Sequence, residues 1–309
     1  MQTIYGVVDI GTLKVKSEIA RLEPNGSLAR LASRATLTCF GVGMDESGGR
    51  PQEKYLLQTL AELKHVKDEF KKFGVQKFRI VSTHAMRKAV NRDDIIARIK
   101  KEVGFMVENI SQEQEAELFF LSVMKTFIPE GKKYAVIDVG GGSVQILVGT
   151  KRKLEAALMT KTGTISLHEK YVRDPHNPES VTTRENLQAM KDEIMQSLLS
   201  LHAEENIPLI YGSSMIIDIM QGLKMRLDPH EDSSMHPYKT YAHHLLAIID
   251  ELIPMNFGAR DKAYPLPHGY AWGLDSAFIN VITTANYFKS PYIIPSNANI
   301  AQGIIYSMI

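Results

Sequence analysis

The chain has 309 residues, of which 44% are hydrophobic and 23% are charged, and its formal net charge is +1. This length and composition are typical of a water-soluble protein with two globular domains, and the near-neutral charge argues against general nucleic-acid binding. The single cysteine excludes an internal disulfide. No signal peptide and no membrane-spanning apolar run is visible, so we expect a cytoplasmic protein.

The first predicted element is a β-hairpin that carries an acid where a core strand normally has none. Residues 4–8 form an apolar strand that ends at Asp9, and Gly11 and Thr12 lie in the turn before the returning strand at residues 15–20. Glycine lets backbone N–H groups approach a ligand closely, and a carboxylate is a suitable ligand for a hard cation. The hairpin therefore predicts a site for a phosphate group beside a metal ion.

The same pattern recurs in the middle of the chain. An apolar strand at residues 134–137 ends at Asp138, and a second strand follows at residues 144–148. The turn between them is formed by Gly140, Gly141, Gly142 and Ser143. Amides of such a loop can cradle phosphate oxygens, and a plain glycine hairpin with a solvated aspartate is the alternative. Two copies of one hairpin predict two similar domains that clamp one phosphoryl group.

The other elements alternate between strands and helices, which predicts an α/β fold. Further strands are predicted at residues 28–38, 77–81, 106–110, 153–161, 209–211 and 292–294. Helices are predicted at residues 51–73, 93–102, 111–127, 184–201, 241–252, 269–288 and 299–308, and one more begins near Thr164. Turns and loops are predicted at residues 24–26, 173–179, 212–214 and 224–238. Residues 40–44 begin like a dinucleotide-binding fingerprint but lack its third glycine and its helix.

The helix at residues 111–127 opens with two acids. Ser111 is the predicted N-cap, and Glu113 and Glu115 lie in the first turn, where the helix dipole favours negative charge. On local grounds this capping role explains both acids.

Four segments in this order resemble the exopolyphosphatase/guanosine pentaphosphate phosphohydrolase (Ppx/GppA) family over essentially the whole chain. They are residues 9–12, residues 83–91 with the pattern T-x-A-x-R-x-A-x-N, residues 111–116 and residues 138–143. The resemblance implies an actin-like ATPase superfold with two ribonuclease-H-like domains around a cleft. We place the first domain at residues 1–123 plus 292–309 and the second at residues 124–291.

The resemblance also implies roles for individual residues. Asp9 and Asp138 match the acids that place Mg²⁺, and Glu115 matches the catalytic glutamate, with Asp138 as its partner in catalysis. The implied phosphate-binding residues are Gly11, Thr12, Arg87, Gly140, Gly141, Gly142 and Ser143. For Glu115, the resemblance favours a catalytic role over helix capping.

The chain departs from the family pattern at several positions. Leu13 and Lys14 replace an amide and a second serine in the first loop, and residues 212–216 match the family's G-x-S-G-T turn only in part. Amides stand where the family usually has acids, at Gln114, Gln145, Asn297 and Gln302. These changes bear on metal affinity and turnover, not on the fold.

Two hypotheses follow for the function. The first is a Mg²⁺-dependent phosphoanhydride hydrolase that releases terminal phosphate from polyphosphate or from guanosine penta- or tetraphosphate. The second is a catalytically weakened protein that binds or senses the same polyanions. A sugar or acid kinase ranks third, because the turn at residue 212 is degenerate. The family also leads us to expect a homodimer, and we expect no membrane partner.

Overall fold

The computed structural model describes residues 2–24, 26–126, 132–151, 153–201, 205–213, 215–230, 236–266 and 268–309. The chain forms two compact units, one of Met1–Ser122 with Ile300–Ile309 and the other of Val123–Asn299. No helix within the described ranges combines the length and the apolar character needed to cross a membrane.

The first unit is built on a five-stranded sheet in the order β3-β2-β1-β4-β5. Its strands are β1 (Ile4–Ile10), β2 (Lys14–Leu22), β3 (Leu28–Leu37), β4 (Lys77–Ser82) and β5 (Val107–Asn109). The first three strands form an antiparallel meander, and β4 and β5 extend the sheet in parallel with β1. Its helices are α1 (Glu53–Phe73), α2 (His84–Lys88), α3 (Arg92–Val103), the part of α4 (Gln112–Thr126) up to Ser122, and α11 (Ile300–Ser307).

Strand β1 is buried on both faces, which explains the apolar residues before Asp9. Successive side chains of a strand point to opposite faces. Val8 and Ile10 pack in one apolar cluster with Leu60 of α1, whereas Val7 packs in another with Ile304 of α11. Helices on both faces therefore shield the strand that carries Asp9.

The second unit repeats this plan with the order β12-β9-β6-β7-β8. Its strands are β6 (Lys133–Val139), β7 (Val144–Thr150), β8 (Lys153–Thr160), β9 (Leu209–Gly212) and β12 (Ile293–Ser296), and a separate short pair is formed by β10 (Asp228–Pro229) and β11 (Tyr238–Lys239). Its helices are α5 (Thr164–Tyr171), α6 (Arg184–Leu198), α7 (Ile216–Gly222), α8 (Ala242–Leu252), α9 (Phe257–Ala263) and α10 (Leu274–Tyr287).

The repeated strand order confirms the predicted α/β class with two ribonuclease-H-like units. In each sheet, an antiparallel three-stranded meander is followed by two strands parallel to its first strand.

The structure differs from the sequence prediction at some boundaries. Strand β12 pairs with β9 in the second sheet, so residues 292–299 lie in the second unit and not, as predicted, with the first. Helix α10 starts only at Leu274, because residues 271–273 form a 3-10 turn. The short helices α2 and α9 were not predicted. The side chain of Asn256 starts α9 by accepting a hydrogen bond from Ala259 N–H at 2.7 Å.

Some residues of the predicted turns and loops, and the last residue of the helix predicted at residues 111–127, lie outside the described residues. They are Asn25, Phe127, Ser214 and residues 231–235.

Gly303 in α11 provides a test of the packing in the first unit. A Cβ atom added there would overlap the backbone carbonyl of Leu118 in α4. Because the backbone cannot move aside cheaply, Gly303→Ala should lower the free energy of unfolding by about 1–3 kcal/mol or more, measured by urea denaturation.

Gly222 at the end of α7 is the matched control. A Cβ atom there would make an ordinary contact with Leu266 Cδ2 at 3.5 Å. Gly222→Ala should be neutral or stabilise the protein by up to about 1 kcal/mol, since alanine favours a helix. Equal effects of the two substitutions would contradict the packing described for α11.

Candidate functional site

The two predicted hairpin loops close in the same way. Gly11 N–H donates to Lys14 O at 3.0 Å, and Gly140 N–H donates to Ser143 O at 3.0 Å. A Cβ atom would lie 3.0 Å from the acceptor carbonyl at Gly11 and 2.9 Å from it at Gly140. The repeat seen in the sequence is therefore a repeat of backbone geometry, and both loops need glycine at this position.

The residue opposite each aspartate differs between the two copies. Asp9 pairs with Lys16 across β1 and β2, and Asp138 pairs with Gln145 across β6 and β7. Directly opposite residues of antiparallel strands have neighbouring side chains on the same face. The first copy therefore places a cation beside its aspartate, and the second copy places a neutral amide there.

The first loop is held from behind by the segment that follows β3. Thr12 O accepts a hydrogen bond from Gly41 N–H at 2.8 Å, and Leu13 O accepts from Thr38 N–H at 3.1 Å and from Cys39 N–H at 2.9 Å. A Cβ atom on Gly41 would lie 2.7 Å from Thr12 Cγ2. The glycine that resembled part of a dinucleotide fingerprint thus supports this loop.

The second loop is held by the first turn of α5, which follows β8. The bonds run from Thr164 N–H to Gly140 O (3.0 Å), from Ile165 N–H to Gly141 O (2.8 Å) and from Ser166 Oγ to Gly142 O (3.2 Å). Gly163 permits this approach, since a Cβ atom there would overlap the loop backbone.

This arrangement fixes the direction of the loop amides. In a trans peptide, the C=O of one residue and the N–H of the next point in opposite directions, and the described chain has no cis peptide bond. The N–H groups of residues 141–143 therefore point away from α5. None of them donates a backbone hydrogen bond to another described residue. Successive backbone amides that point to one side of a loop can form an anion-binding concavity.

Arg87 and Glu115 meet in the first unit. Arg87 Nη1 lies 2.8 Å from Glu115 Oε2 and donates to Ile110 O at 3.1 Å. The two side chains are 19% and 13% exposed, so this ion pair is largely shielded from water. Arg87 Nη2 is buried and has no hydrogen-bond partner within the described residues. The guanidinium therefore keeps one donor direction for another acceptor.

Ser111 caps the start of α4, as predicted, and Gln114 is its partner. Hydrogen bonds to its own backbone and to Ser111 lower the pKa of Glu113, so this acid also interacts with the start of the helix. Gln114 N–H donates to Ser111 Oγ at 3.2 Å, and Ser111 N–H donates to Gln114 Oε1 at 2.9 Å. This reciprocal pair is a capping box. The amide of Gln114 therefore serves to cap α4. Glu115, one residue later, contacts Arg87 instead.

A second amide among the departures is also structural. Asn297 Oδ1 accepts a hydrogen bond from Ile217 N–H at 3.0 Å, at the start of α7. Gln145 is different, because it is only 2% exposed and its Oε1 has no partner in the part of the chain that the structure describes.

Asp9 is buried and only partly neutralised. Burial raises the pKa of its carboxyl above 3.8, and Lys16, Arg87 and a hydrogen bond from Thr83 oppose this shift. Its Oδ1 is buried with no hydrogen-bond partner among the described residues. A buried carboxylate oxygen without a donor is costly, so this atom is suited to a cation.

The donor set is compatible with Mg²⁺. Mg²⁺ usually keeps several waters and takes one or two carboxylates together with substrate phosphates. The described residues contain no cluster of three or more His, Cys, Asp or Glu side chains that could hold a metal. The unpartnered Oδ1 of Asp9 nevertheless fits a single carboxylate contact with such an ion.

The predicted site residues fall into two sets, one in each unit. Asp9, Gly11, Thr12, Arg87 and Glu115 belong to the first unit. Asp138, Gly140, Gly141, Gly142 and Ser143 belong to the second.

Four residues that were not among the predicted site residues also shape these sets. They are Lys16, Gly41, Thr83 and Gly163. Gly41 and Gly163 each lie a few residues after the third strand of a meander, and this shared position could have identified them. In both units the segment at this glycine contacts the loop.

The burial of Asp9 gives a pH-dependent prediction. A carboxyl whose pKa is higher in the folded than in the unfolded chain destabilises the fold above both pKa values, and this penalty disappears as the pH falls below both. Asp9→Asn should therefore raise the urea midpoint at neutral pH, and the gain should vanish below the ordinary aspartate pKa of 3.8.

Asp68 serves as the control for this measurement, since its side chain is 75% exposed. Asp68→Asn should change the midpoint little at any pH. A lower midpoint for Asp9→Asn at neutral pH would show that Lys16 and Arg87 outweigh burial.

Comparison with known proteins places this geometry in context. The model of the Ppx/GppA phosphatase family matches residues 19–309. A guanosine-5'-triphosphate,3'-diphosphate pyrophosphatase of Photobacterium profundum is 26% identical over 61% of this chain and 36% of its own length. A putative exopolyphosphatase of Haemophilus influenzae is 24% identical over 72% of this chain and 68% of its own length. The chain thus matches between about one third and two thirds of these two relatives.

Two solved structures share the fold. The Aquifex aeolicus Ppx/GppA family member has a TM-score of 0.79 at 24% identity, covering 100% of this chain and 98% of that chain. An exopolyphosphatase from Cytophaga hutchinsonii has a TM-score of 0.82 at 20% identity, covering 99% of this chain and 97% of that chain.

Proposed function

Because the chain belongs to the Ppx/GppA phosphatase family, we propose that it is a Mg²⁺-dependent phosphoanhydride hydrolase. Its proposed substrates are polyphosphate and guanosine penta- or tetraphosphate, from which it removes a terminal phosphate. The names of the similar proteins from Photobacterium profundum and Haemophilus influenzae support these two substrate classes.

One observation carries the proposal. Asp9 Oδ1 is a buried acceptor without a donor, and Arg87 Nη2 is a buried donor without an acceptor, among the residues that the structure describes. The two side chains are close enough for the charge of Arg87 to lower the pKa of Asp9, yet these two atoms form no hydrogen bond with each other. A metal ion bound to a phosphate satisfies both, since the cation suits the carboxylate and the phosphate oxygen suits the guanidinium.

The first unit would supply the groups that act on the attacking water and the transferred phosphate. Glu115 is held by Arg87 at 2.8 Å and would orient and deprotonate the water as a general base. Arg87 would bind a phosphate oxygen through Nη2. Thr12 and Gly11 would contribute a hydroxyl and a turn that admits the phosphate.

The second unit would supply an amide cradle. The N–H groups of residues 141–143 and the hydroxyl of Ser143 would donate to phosphate oxygens, and Gly140 closes the loop. Asp138, like Asp9 in the first unit, is a proposed ligand of Mg²⁺. Bound Mg²⁺ would neutralise charge on the phosphate oxygens, which is the main requirement of phosphoryl transfer besides positioning.

A binding or sensing protein with little turnover is the second candidate. Gln145 favours it, because a buried neutral amide stands opposite Asp138 where the family usually has a glutamate. The amides at Gln114 and Asn297 do not favour it, because their hydrogen bonds cap α4 and α7.

Glu115→Gln separates the two candidates. A positioned general base contributes about 10²–10⁴-fold to the rate, so the variant should lose phosphate release by that factor. It should still bind polyphosphate, because the proposed phosphate contacts come from Arg87 and the loops. Phosphate release from both substrates and calorimetric binding measure the two effects.

Arg87→Ala is the complementary variant. A charged hydrogen bond contributes about 1.5–3 kcal/mol, so polyphosphate binding should weaken about ten- to a hundredfold. If Glu115→Gln releases phosphate as fast as the wild type, the hydrolase proposal fails. If Arg87→Ala also binds as tightly as the wild type, the phosphate site lies elsewhere.

A further inference from the structure

We infer that Ser166, Thr162 and Asn280 are positioning residues of the second phosphate loop, acting on its backbone from behind. The inference rests on the proposed phosphate binding by residues 140–143 and assigns the direction of the loop amides to a buried polar network. None of the three side chains belongs to the loop itself.

Ser166 makes the direct contact with the loop. Its hydroxyl donates to Gly142 O at 3.2 Å, and its N–H donates to Gly141 O at 3.3 Å. The Gly142 carbonyl belongs to the same peptide as the N–H of Ser143. Holding that carbonyl towards α5 therefore keeps the Ser143 N–H pointing away from it.

Helix α10 holds the segment that leads into α5. Asn280 Nδ2 donates to Thr162 O at 2.9 Å, and Asn280 Oδ1 accepts from Thr162 Oγ1 at 3.2 Å. Thr162 Oγ1 also lies 2.6 Å from Thr160 Oγ1 at the end of β8. All three residues are buried. Thr162 directly precedes Gly163, which touches the loop, so its position sets how closely α5 approaches.

A second buried link ties α5 to α10 beyond Ser166. His168 Nε2 lies 2.9 Å from Asp275 Oδ1, and Arg260 Nη1 donates to Asp275 Oδ2 at 2.8 Å. Against the effect of burial, His168 and Arg260 hold the pKa of Asp275 well below its usual range. Leaving the buried Asp275 carboxyl without its hydrogen bond to His168 is costly, so a shift of α5 along α10 carries a penalty.

The space behind the loop is filled by hydrogen-bonded polar side chains, although apolar side chains could also fill it. Leucine or valine in place of these polar residues would also fill the space. Only hydrogen bonds to the carbonyl oxygens of residues 140–142, however, fix the rotation of those peptide groups. Preorganised donors bind an anion without paying for reorganisation. The polar residues of α10 thereby serve the loop.

The NMR signals of the loop amides measure anion binding by the loop. In ¹⁵N-labelled full-length protein, the amide signals of Gly141, Gly142 and Ser143 should shift together on titration with pyrophosphate. Ser166→Ala should weaken the fitted affinity about three- to tenfold, the effect of one neutral hydrogen bond. Ser166→Thr keeps the hydroxyl and should restore the wild-type affinity. Thr162→Val should weaken it in the same direction.

Thr283→Val is the matched control on α10. Thr283 is fully buried, and its hydroxyl has no hydrogen-bond partner within the described residues. This variant should bind pyrophosphate like the wild type. A purely structural role for Ser166 predicts a lower melting temperature with unchanged affinity, and that result would overturn the inference. If the wild-type loop amides do not respond to pyrophosphate at all, both the inference and the proposed role of the loop fail.

Discussion

The direction of the peptide groups at two strand ends is fixed in the same way in both units, and the surrounding elements are arranged around these two loops. In each unit, the first glycine of the loop bonds the carbonyl three residues later, and the segment after the third strand binds the loop carbonyls. Because a planar peptide cannot turn only its C=O, fastening the carbonyls on one side presents the N–H groups on the other. The sheet, the segment behind it and the glycine that admits this segment all contribute to this one result.

The first unit contains two charged side chains whose hydrogen-bonding capacity is not fully used within the described part of the chain. Asp9 and Arg87 each leave one buried polar atom without a partner in the described part of the chain, and such atoms normally cost stability. Natural proteins retain costs of this kind where a ligand removes them. Lys16 lies opposite Asp9 and lowers the cost in the absence of a ligand. The second copy has Gln145 in the equivalent place, so the two halves of the repeat have diverged in charge while keeping one backbone.

Most of the fold could be predicted from sequence, because periodicity and glycine positions reflect local physics. The repeated pattern of strand, acid and glycine at Asp9 and Asp138 predicted two related units, and the two sheets share one strand order. Sequence failed where the deciding contact is remote. Strand β12 pairs with β9, and only tertiary pairing assigns it to the second unit. Likewise, the sequence indicated only that Gln114 and Asn297 replace acids of the family pattern. Their hydrogen bonds at the starts of α4 and α7 are visible only in the structure. The assignment of Asp9, Arg87, Glu115 and Asp138 to chemistry remains a proposal that the geometry supports.

Phosphate release by the wild-type protein is the decisive measurement for the proposed hydrolase. Purified protein would be incubated with polyphosphate and, separately, with guanosine pentaphosphate, each with Mg²⁺ and with a chelator. A Mg²⁺-dependent hydrolase should release terminal phosphate from at least one substrate with Mg²⁺, and release should fall to the uncatalysed rate with the chelator. Release at the uncatalysed rate from both substrates in the presence of Mg²⁺ would contradict the proposal.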